Sequence, residues 1–150
     1  MIDSKSMEIL KILQDKARIP NVEVSRQVGL APSAVLERIR KMEKTGIIDG
    51  YEVRLNPGRF ERSQISFISV MTQNIKAHPA IGEQLAALPE VQEVHFIAGE
   101  DCYLIKARTA DTAELGELLR DKILSIDGVT STKTATVLST LKETARIPIR

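Results

Sequence analysis

A short segment of the chain combines small, polar and basic side chains of the kinds that contact nucleic acids. Serine hydroxyls and glutamate carboxylates pair with base edges, whereas guanidinium and ammonium groups pair mainly with phosphates. At three- and four-residue spacing, such side chains share one face of a helix. We expect base contacts mainly from Ser33, Ala34, Glu37 and Arg38, and phosphate contacts from Arg38, Arg40 and Lys41.

The residues on either side of this segment predict the helix that carries it. Pro32 suits a first helical turn, because its missing N–H would have no partner there, and Gly46 suits the left-handed position that ends a helix. We therefore predict a helix from Pro32 to about Lys44. Its apolar residues recur on one face and would anchor it to the body of the domain: Val35, Ile39 and Met42, with Leu36 beside them.

A second short helix should precede this one at a sharp corner. Asn21 can cap a helix that runs through Val28, and Gly29 lies where the chain must turn. Ser25 is small enough for the two helices to pack closely. The arrangement is typical of a helix-turn-helix whose second helix enters the major groove of DNA. The alternative is an ordinary pair of helices with a solvated outer face.

The N-terminal residues predict a further helix that completes this unit. Asp3 is a suitable N-cap for a helix from Ser4 to Asp15. The apolar stripe of this helix would close a core with residues of the other two helices. We expect that core to contain Ile9, Leu10, Leu13, Val24, Val28, Leu30 and Ile39.

The pattern changes after the helices, where apolar residues alternate with charged ones. Tyr51, Val53 and Leu55 are separated by single charged residues, as in an exposed or half-buried strand. We interpret this stretch as a wing or an outward arm, followed by a polar linker. The predicted boundaries are 1–50 for the helix-turn-helix domain, 51–63 for the arm and linker, and 64–150 for a second domain.

The order strand, helix, strand occurs twice in the second domain. Two such units in tandem predict a ferredoxin-like βαββαβ sheet with both helices on one face. The predicted fold class is therefore α+β, with a three-helix winged helix-turn-helix domain joined to a ferredoxin-like domain. The elements in order are strand 64–73, helix 78–88, strand 91–97, strand 101–109, helix 112–124 and strand 129–138.

The face of the sheet that the helices leave uncovered predicts a second copy of the chain. Ile68 and Val70 would lie on one side of the first strand. Ile65, Phe67 and Met71 would then lie on the opposite side, which is also partly apolar. We expect a homodimer through this domain. The alternative is a monomer in which this face of the sheet is simply less polar than an average protein surface.

The composition excludes several classes of protein. The chain of 150 residues has one cysteine, so neither an internal disulfide nor a cysteine-based zinc cluster can form. No apolar run approaches the roughly 20 residues that cross a bilayer, and no secretory signal pattern is present at the N-terminus. We expect a cytoplasmic protein with no membrane partner, no metal and no cofactor.

The charge is unevenly divided between the two halves. Residues 1–63 carry 12 Lys and Arg against 9 Asp and Glu, whereas residues 64–150 carry 9 against 11. The basic half is the one that contains the helix-turn-helix. Because its surplus is small, a single copy would bind DNA weakly, and several copies side by side would bind better.

An enzyme is the main competing class, because ferredoxin-like sheets host many chemistries. His78 lies beside Pro79 at a helix start and His95 lies in a strand, and the sequence pairs neither with a nucleophile. No phosphate-binding glycine loop is present in the sequence. A module that binds an effector and controls another protein is a second alternative, but it would leave the basic helix face without a role. We therefore predict a DNA-binding protein and no enzyme.

The order of these parts resembles the Lrp/AsnC family of feast/famine transcription regulators over essentially the whole chain. The matching segments are the helix-turn-helix, LPEVQEVHFIAGEDCYLIKAR, the IDGV turn and the final RIPI. The resemblance implies dimers that assemble into octamers and wrap or bend double-stranded DNA near promoters. It also implies an effector site, usually for an amino acid, where dimers meet in the second domain.

The resemblance also assigns residues to the effector site. The loop before Tyr103 is similar to the family's Gly-x-x-Asp-Tyr element, whose amides and carboxylate suit the charged ends of an amino acid. Three positions depart from the usual pattern, because Ser6 replaces an acidic residue, Ala31 a serine and Cys102 the loop aspartate. Asp101 or Glu100 could supply the missing carboxylate. The expected effector residues are Gly99, Glu100, Asp101, Cys102 and Thr134.

Cys102 raises a separate hypothesis, in which the effector is an oxidant or a thiol reagent. No Lys, Arg or His adjoins it in sequence to activate the thiol. We therefore favour the alternative, a half-buried cysteine that acts as a small apolar residue.

Overall fold

Three helices form the first part of the chain, in a computed structural model that describes residues 1–74, 76 and 78–150. They are α1 (Ser4–Asp15), α2 (Asn21–Val28) and α3 (Pro32–Lys44). These bounds agree with the predicted ones. Asp3 caps α1 by accepting a hydrogen bond of 3.0 Å from the backbone N–H of Ser6. Gly29 and Gly46 adopt φ values of 69° and 74°, the left-handed region expected at the corner and at the end of α3.

The apolar stripes of the three helices pack into one core. The small Ser25 is buried and donates its hydroxyl to the Val22 carbonyl at 2.9 Å, so it contributes no unpaired group there. The predicted core is confirmed, with Leu10, Leu13 and Leu30 partly buried at its edge. Its buried members are Ile9, Val24, Val28, Val35, Ile39 and Met42.

The predicted capping of α2 by Asn21 is wrong. The N-cap is Pro20, in an extended conformation, and Asn21 is already the first helical residue. The Pro20 carbonyl accepts from the backbone N–H groups of Glu23 and Val24 at 3.0 and 3.1 Å. The helix therefore begins from the ring-restricted backbone of a proline, and a side-chain oxygen is not needed to start it.

The strand predicted at residues 51–55 is also wrong for the single chain. In the described part of the molecule this segment pairs with no strand, and Val53 is 84% exposed. An alternating pattern cannot form a strand without a neighbour that accepts its hydrogen bonds. Tyr51 instead donates its hydroxyl to Glu43 Oε1 at 2.8 Å.

The C-terminal residues return to the helical unit. One compact unit comprises Met1–Arg54 and Glu143–Arg150, and the other comprises Leu55–Lys142. The side-chain amide of Gln14 both donates to and accepts from the backbone of Ile147, at 2.9 Å each way. The end of the chain is thus hydrogen-bonded to α1, whereas its sequence predicted a place in the second domain, residues 64–150.

A four-stranded antiparallel sheet with helices forms the second unit. Its spatial order is β2-β3-β1-β4, the predicted ferredoxin-like arrangement. A 3-10 turn at Pro57–Phe60 precedes the sheet. The elements in chain order are β1 (Gln64–Thr72), α4 (Ile81–Ala86), β2 (Val91–Ile97), β3 (Cys102–Thr109), α5 (Thr112–Glu117), a π-helical segment (Leu118–Ile123) and β4 (Val129–Thr136).

Both helices lie on one face of this sheet, as predicted. Ile68 of β1 is paired with Ile105 of β3, and both are fully buried. They belong to a single apolar cluster to which the helices contribute Ile81, Leu85, Leu115, Leu118 and Ile123. On the opposite face Phe67 is 41% exposed, so an apolar ring remains uncovered there in the single chain.

The helix predicted over 112–124 is α-helical only in its first half. In the second half the N–H of Leu124 donates to the carbonyl of Leu119, five residues back, at 2.9 Å. The wider turn allows Leu118 and Ile123 both to be buried in the core. The helix predicted over 78–88 is shorter than expected at both ends, because it begins at Ile81 and ends at Ala86.

Candidate nucleic-acid interface and effector loop

The outer face of α3 presents the residues that the sequence analysis assigned to DNA. Ser33, Glu37 and Lys41 are exposed and follow one another at intervals of four residues, so they form one stripe along the helix. Arg40 is exposed as well, whereas Ala34 is half-buried. A hydroxyl, a carboxylate and an ammonium in this order can contact base edges and phosphates.

Arg38 has intramolecular partners that the sequence analysis did not anticipate. Its Nη1 donates to Asp3 Oδ1 at 2.8 Å, to Asp3 Oδ2 at 2.7 Å and to the Ser6 hydroxyl at 3.1 Å. These contacts join the beginning of α1 to the middle of α3. Arg38 thus helps to fix the position of α3 in addition to any role at DNA.

The same contacts set the ionisation of Asp3. The backbone N–H of Ser6, followed by the Arg38 guanidinium, lowers the pKa of the Asp3 carboxyl from 3.8 to about 2. Both donors favour the charged form of the carboxylate. At neutral pH this helix junction therefore holds a complete ion pair.

Lys5 is a second positioning residue that sequence reasoning missed. Its ammonium donates to the carbonyl of Val28, the last residue of α2, at 2.6 Å. Because this carbonyl belongs to the final turn of α2, no backbone N–H within the helix donates to it. Lys5 thus stabilises the corner between α2 and α3. Nothing in the local pattern signals the pair, since the residues lie 23 positions apart.

The loop between β2 and β3 contains most of the predicted effector residues. Gly99 and Asp101 both have left-handed backbones, with φ values of 98° and 51°. Gly99, Glu100 and Asp101 are exposed, whereas the side chain of Cys102 is fully buried opposite Ile97. The loop therefore offers two carboxylates and its backbone to solvent, and no thiol.

Tyr103 supports this loop from the helix side of the sheet. Its ring lies 5.3 Å from that of Phe96 in an edge-on arrangement. A Cβ atom at Gly82 would lie 3.0 Å from Tyr103 Cε1, so glycine lets α4 approach the ring closely. The start of β3 is thus held between a neighbouring strand and a helix.

Thr134 is not brought to the loop within one chain. It lies on the edge strand β4, paired with Ile68 of β1, and is exposed. Since β1 separates β4 from β3, at least two strand spacings, or about 10 Å, lie between Thr134 and the β3 end of the loop. The structure thus groups Gly99, Glu100, Asp101 and Cys102, and leaves Thr134 apart.

The histidines have carboxylate neighbours instead of nucleophiles. His95 Nε2 lies 3.0 Å from Glu93 Oε1, and His78 Nδ1 lies 3.8 Å from Asp127 Oδ2. Among residues 1–74, 76 and 78–150, no group of three or more His, Cys, Asp and Glu is arranged to hold a metal ion. No helix in that part of the chain has the length and apolarity of a membrane span.

Known proteins match both units of the chain. A winged helix-turn-helix DNA-binding family matches residues 2–49, and the Lrp/AsnC ligand binding domain matches residues 65–147. The leucine-responsive regulatory protein of Salmonella typhimurium is 37% identical over 153 residues, which span 99% of this chain and 92% of that protein.

Solved structures show the same similarity. A transcriptional regulator from Neisseria meningitidis, in a complex with L-methionine, has a TM-score of 0.93 at 30% identity and covers 99% of this chain and 97% of its own. E. coli AsnC has a TM-score of 0.90 at 29% identity and covers 99% of both chains.

These matches agree with the geometry of both units. The three-helix unit corresponds to a DNA-binding domain, and the βαββαβ unit corresponds to a ligand-binding domain. The relatives are regulators of transcription, so the enzyme alternative is set aside. Because the Lrp/AsnC ligand binding domain matches more than half of its length and a winged helix-turn-helix family matches residues 2–49, the chain belongs to the Lrp/AsnC family of DNA-binding transcriptional regulators.

Proposed function

We propose that this protein is a sequence-specific regulator whose assembly and DNA affinity are set by a small effector, an amino acid, bound between dimers. The observation that carries the DNA part is the exposed stripe of Ser33, Glu37 and Lys41 on α3. In our proposal Ser33, Ala34 and Glu37 read bases, and Arg40 and Lys41 hold phosphates. Arg38 positions the helix from its side and contributes to phosphate binding at its edge. A cytoplasmic location follows from the DNA partner.

The effector part rests on the loop that includes Gly99, Glu100 and Asp101. Its carboxylates suit an ammonium group, and backbone N–H groups of a loop with two left-handed residues suit a carboxylate. The relative from Neisseria meningitidis was solved with L-methionine, which supports the amino-acid class. Thr134 lies too far away to complete the same site within one chain, so a site that includes it requires a second chain.

The uncovered face of the sheet supports a homodimer. Phe67 is exposed in the middle of β1, flanked in register by Lys106 and Ala135. A second copy would cover this apolar ring, and dimers joined through their loops would form an octamer. Such an assembly presents several helix-turn-helix units together, which compensates for the small positive surplus of each unit.

Oligomer mass and DNA affinity, measured with each amino acid in turn, test the proposal. We expect a mass of a dimer or a multiple of it, and at least one amino acid that shifts both the mass and the affinity for promoter DNA. A change of Glu100 and Asp101 to Gln and Asn should remove that shift without preventing DNA binding. A monomeric protein, or an assembly that responds to no amino acid, contradicts the effector proposal. Failure of the Lys41→Ala, Glu37→Ala double variant to change DNA binding contradicts the assignment of α3.

A further inference from the structure

A cleft lined mainly by charged residues lies in the βαββαβ unit, at the opposite end of the β2–β3 hairpin from the loop at residues 99–102. Its volume is about 270 Å³, the scale of a small metabolite. Because β2 is seven residues long, the two ends of the hairpin are roughly 20 Å apart. The cleft is lined by Arg62, Pro89, Glu90, Gln92, Arg108 and Glu114.

Glu90 gives this cleft an unusual carboxylate. Its side chain is only 13% exposed, and Lys122 of the π-helical segment donates to Oε1. The second oxygen, Oε2, is shielded from solvent and has no hydrogen-bond partner within the described structure. A buried carboxylate with one oxygen left without a donor is costly, so a ligand that pairs with this carboxylate would gain binding energy.

The ionisation of Glu90 fits a cationic ligand group. Burial acts to raise the pKa of its carboxyl, but the hydrogen bond from Lys122, the backbone N–H of Glu90 and the positive charges of Lys122 and Arg62 together outweigh it, so the pKa is lowered. The group is therefore negatively charged at neutral pH.

Arg62 supplies the opposite charge in the lining of the cleft. Its Nη1 donates to the Glu61 carbonyl at 2.9 Å and makes a long contact of 3.5 Å with Glu114 Oε2. Within the described residues, the hydrogen bonds that the Arg62 side chain donates all use Nη1, so Nε and Nη2 can bind an anion. Guanidinium groups bind carboxylates in a two-bond geometry.

Arg108 holds the residues of the cleft in place through hydrogen bonds. Its Nε donates to Gln92 Oε1 at 2.8 Å, and its Nη1 donates to the carbonyl of Arg62 at 3.3 Å. The backbone N–H of Arg108 also donates to the Glu90 carbonyl at 2.8 Å. One residue therefore fixes the backbone of both Arg62 and Glu90, the two groups of opposite charge.

We infer that this cleft is a second ligand site, separate from the loop at residues 99–102, for a small zwitterion of the free amino-acid class. The ligand's ammonium pairs with the Glu90 carboxylate, and its carboxylate accepts from Arg62. A molecule with only one of these charges leaves one wall unpaired and binds more weakly. The site is independent of the proposed loop site, because the two share no residue.

Calorimetric titration of the 150-residue protein tests this inference. The starting protein is a loop variant, Glu100→Gln with Asp101→Asn, in which asparagine tolerates the left-handed backbone at 101. The probes are the twenty L-amino acids, with acetate and methylamine as single-charge molecules. We expect at least one amino acid to bind the loop variant, and to bind at least tenfold more weakly after Glu90→Gln or Arg62→Gln.

Matched controls separate the cleft from general effects of charge. Glu117→Gln and Arg59→Gln remove exposed charges of the same two signs that do not line the cleft, and should leave binding unchanged. Thermal unfolding checks that each variant is folded, and the exposed Arg62 provides a test even if Glu90→Gln is unstable. Unchanged binding in both Glu90→Gln and Arg62→Gln overturns the inference, as does the absence of binding to the loop variant. Acetate or methylamine binding as tightly as the amino acid overturns the zwitterion class.

The two sites can fail separately. The loop site is judged by whether the loop variant, with its cleft intact, still shifts its oligomer mass with an amino acid. The cleft is judged by calorimetry, from how much weaker amino-acid binding becomes when Glu90→Gln or Arg62→Gln is added to that loop variant.

Discussion

Arg38 and Asp3 form a forked contact in which one guanidinium nitrogen lies 2.8 Å and 2.7 Å from the two carboxylate oxygens. Asp3 caps α1 with the same carboxylate, through the backbone N–H of Ser6. One side chain thus caps one helix and restrains another. Because α3 carries the stripe that we propose contacts DNA, the orientation of that stripe depends on a residue before the first helix.

The two roles of Asp3 can be separated by substitution. Asp3→Ser keeps a hydroxyl that can cap α1 but removes the partner of Arg38, whereas Asp3→Ala removes both. We expect the thermal midpoint followed by circular dichroism at 222 nm to fall in both variants, and further in Asp3→Ala. Asp3→Ser should also alter the relative affinities for different DNA sites, since α3 loses a restraint. Equal midpoints for the two variants would show that the cap contributes nothing.

Acid should weaken the helical unit through the same carboxylate. The folded pKa of Asp3, about 2, lies below its ordinary value of 3.8. A lowered folded pKa stabilises the protein above the unfolded value, and this contribution is lost as the pH falls from about 4 towards 2. Urea unfolding at pH steps over this range should therefore show a shallower loss of stability in Asp3→Asn than in the unmodified chain. Identical pH dependence would rule out the ion pair as its source.

Much of the helical unit is predictable because its signals are local. Asp3 as a cap, Gly29 at the corner and Pro32 at a first turn each act within a few residues of their own position. The Asp3–Arg38 pair spans 35 residues and has no periodic signature. The prediction of a strand at residues 51–55 is wrong for a related reason. Alternation indicates which residues would share one face of a strand, but it does not indicate whether a neighbouring strand is present to pair with it.

In the second unit too, features with local sequence signals were predictable and features that depend on distant residues were not. Alternation located its strands, and their tandem order predicted the sheet, because chain connectivity allows few topologies. The π-helical segment was not predicted, since a change from four- to five-residue bonding depends on how Leu118 and Ile123 fit the core. The effector loop was placed by resemblance to a family, whereas the cleft at Glu90 combines residues from 62 to 114 and appears only in three dimensions.

Lys41 and Glu37 should have different effects on DNA binding. Removal of a cation that neutralises a phosphate weakens binding to all sequences alike, whereas removal of a side chain that reads a base changes preference among them. Lys41→Ala should therefore lower affinity uniformly and reduce the slope of log K against log salt by about 1 for each phosphate that it no longer neutralises. Glu37→Ala should change the ranking of sites with little effect on the slope. Lys11→Ala, an exposed lysine on α1, serves as the control in fluorescence anisotropy titrations; if it matches Lys41→Ala, the effect is one of net charge alone.

Gly128 should be intolerant of any side chain. Its φ is 92°, and a Cβ atom there would lie 2.4 Å from Cγ of His78. Backbone strain and this overlap together should cost about 2 kcal/mol in Gly128→Ala. Gly116→Ala is the matched control, because Gly116 lies in α5 with nothing within 4 Å of its added Cβ, and alanine should stabilise that helix by up to about 1 kcal/mol. Denaturant unfolding of both variants measures whether the free energy of unfolding falls in Gly128→Ala and rises in Gly116→Ala. An equal fall in both variants would refute this prediction.

Cys102 should behave as an apolar core residue. Its side chain is fully buried at the start of β3, and thiolates react only where they are exposed or stabilised by positive charge. We expect a disulfide reagent such as dithionitrobenzoate to modify the native thiol about 100-fold more slowly than the thiol in urea, because reaction then requires opening of the sheet. Peroxide should leave DNA binding unchanged, and Cys102→Ala should retain the same affinity. Rapid labelling of the native protein, with a parallel change in DNA affinity that Cys102→Ala abolishes, would instead establish a redox effector.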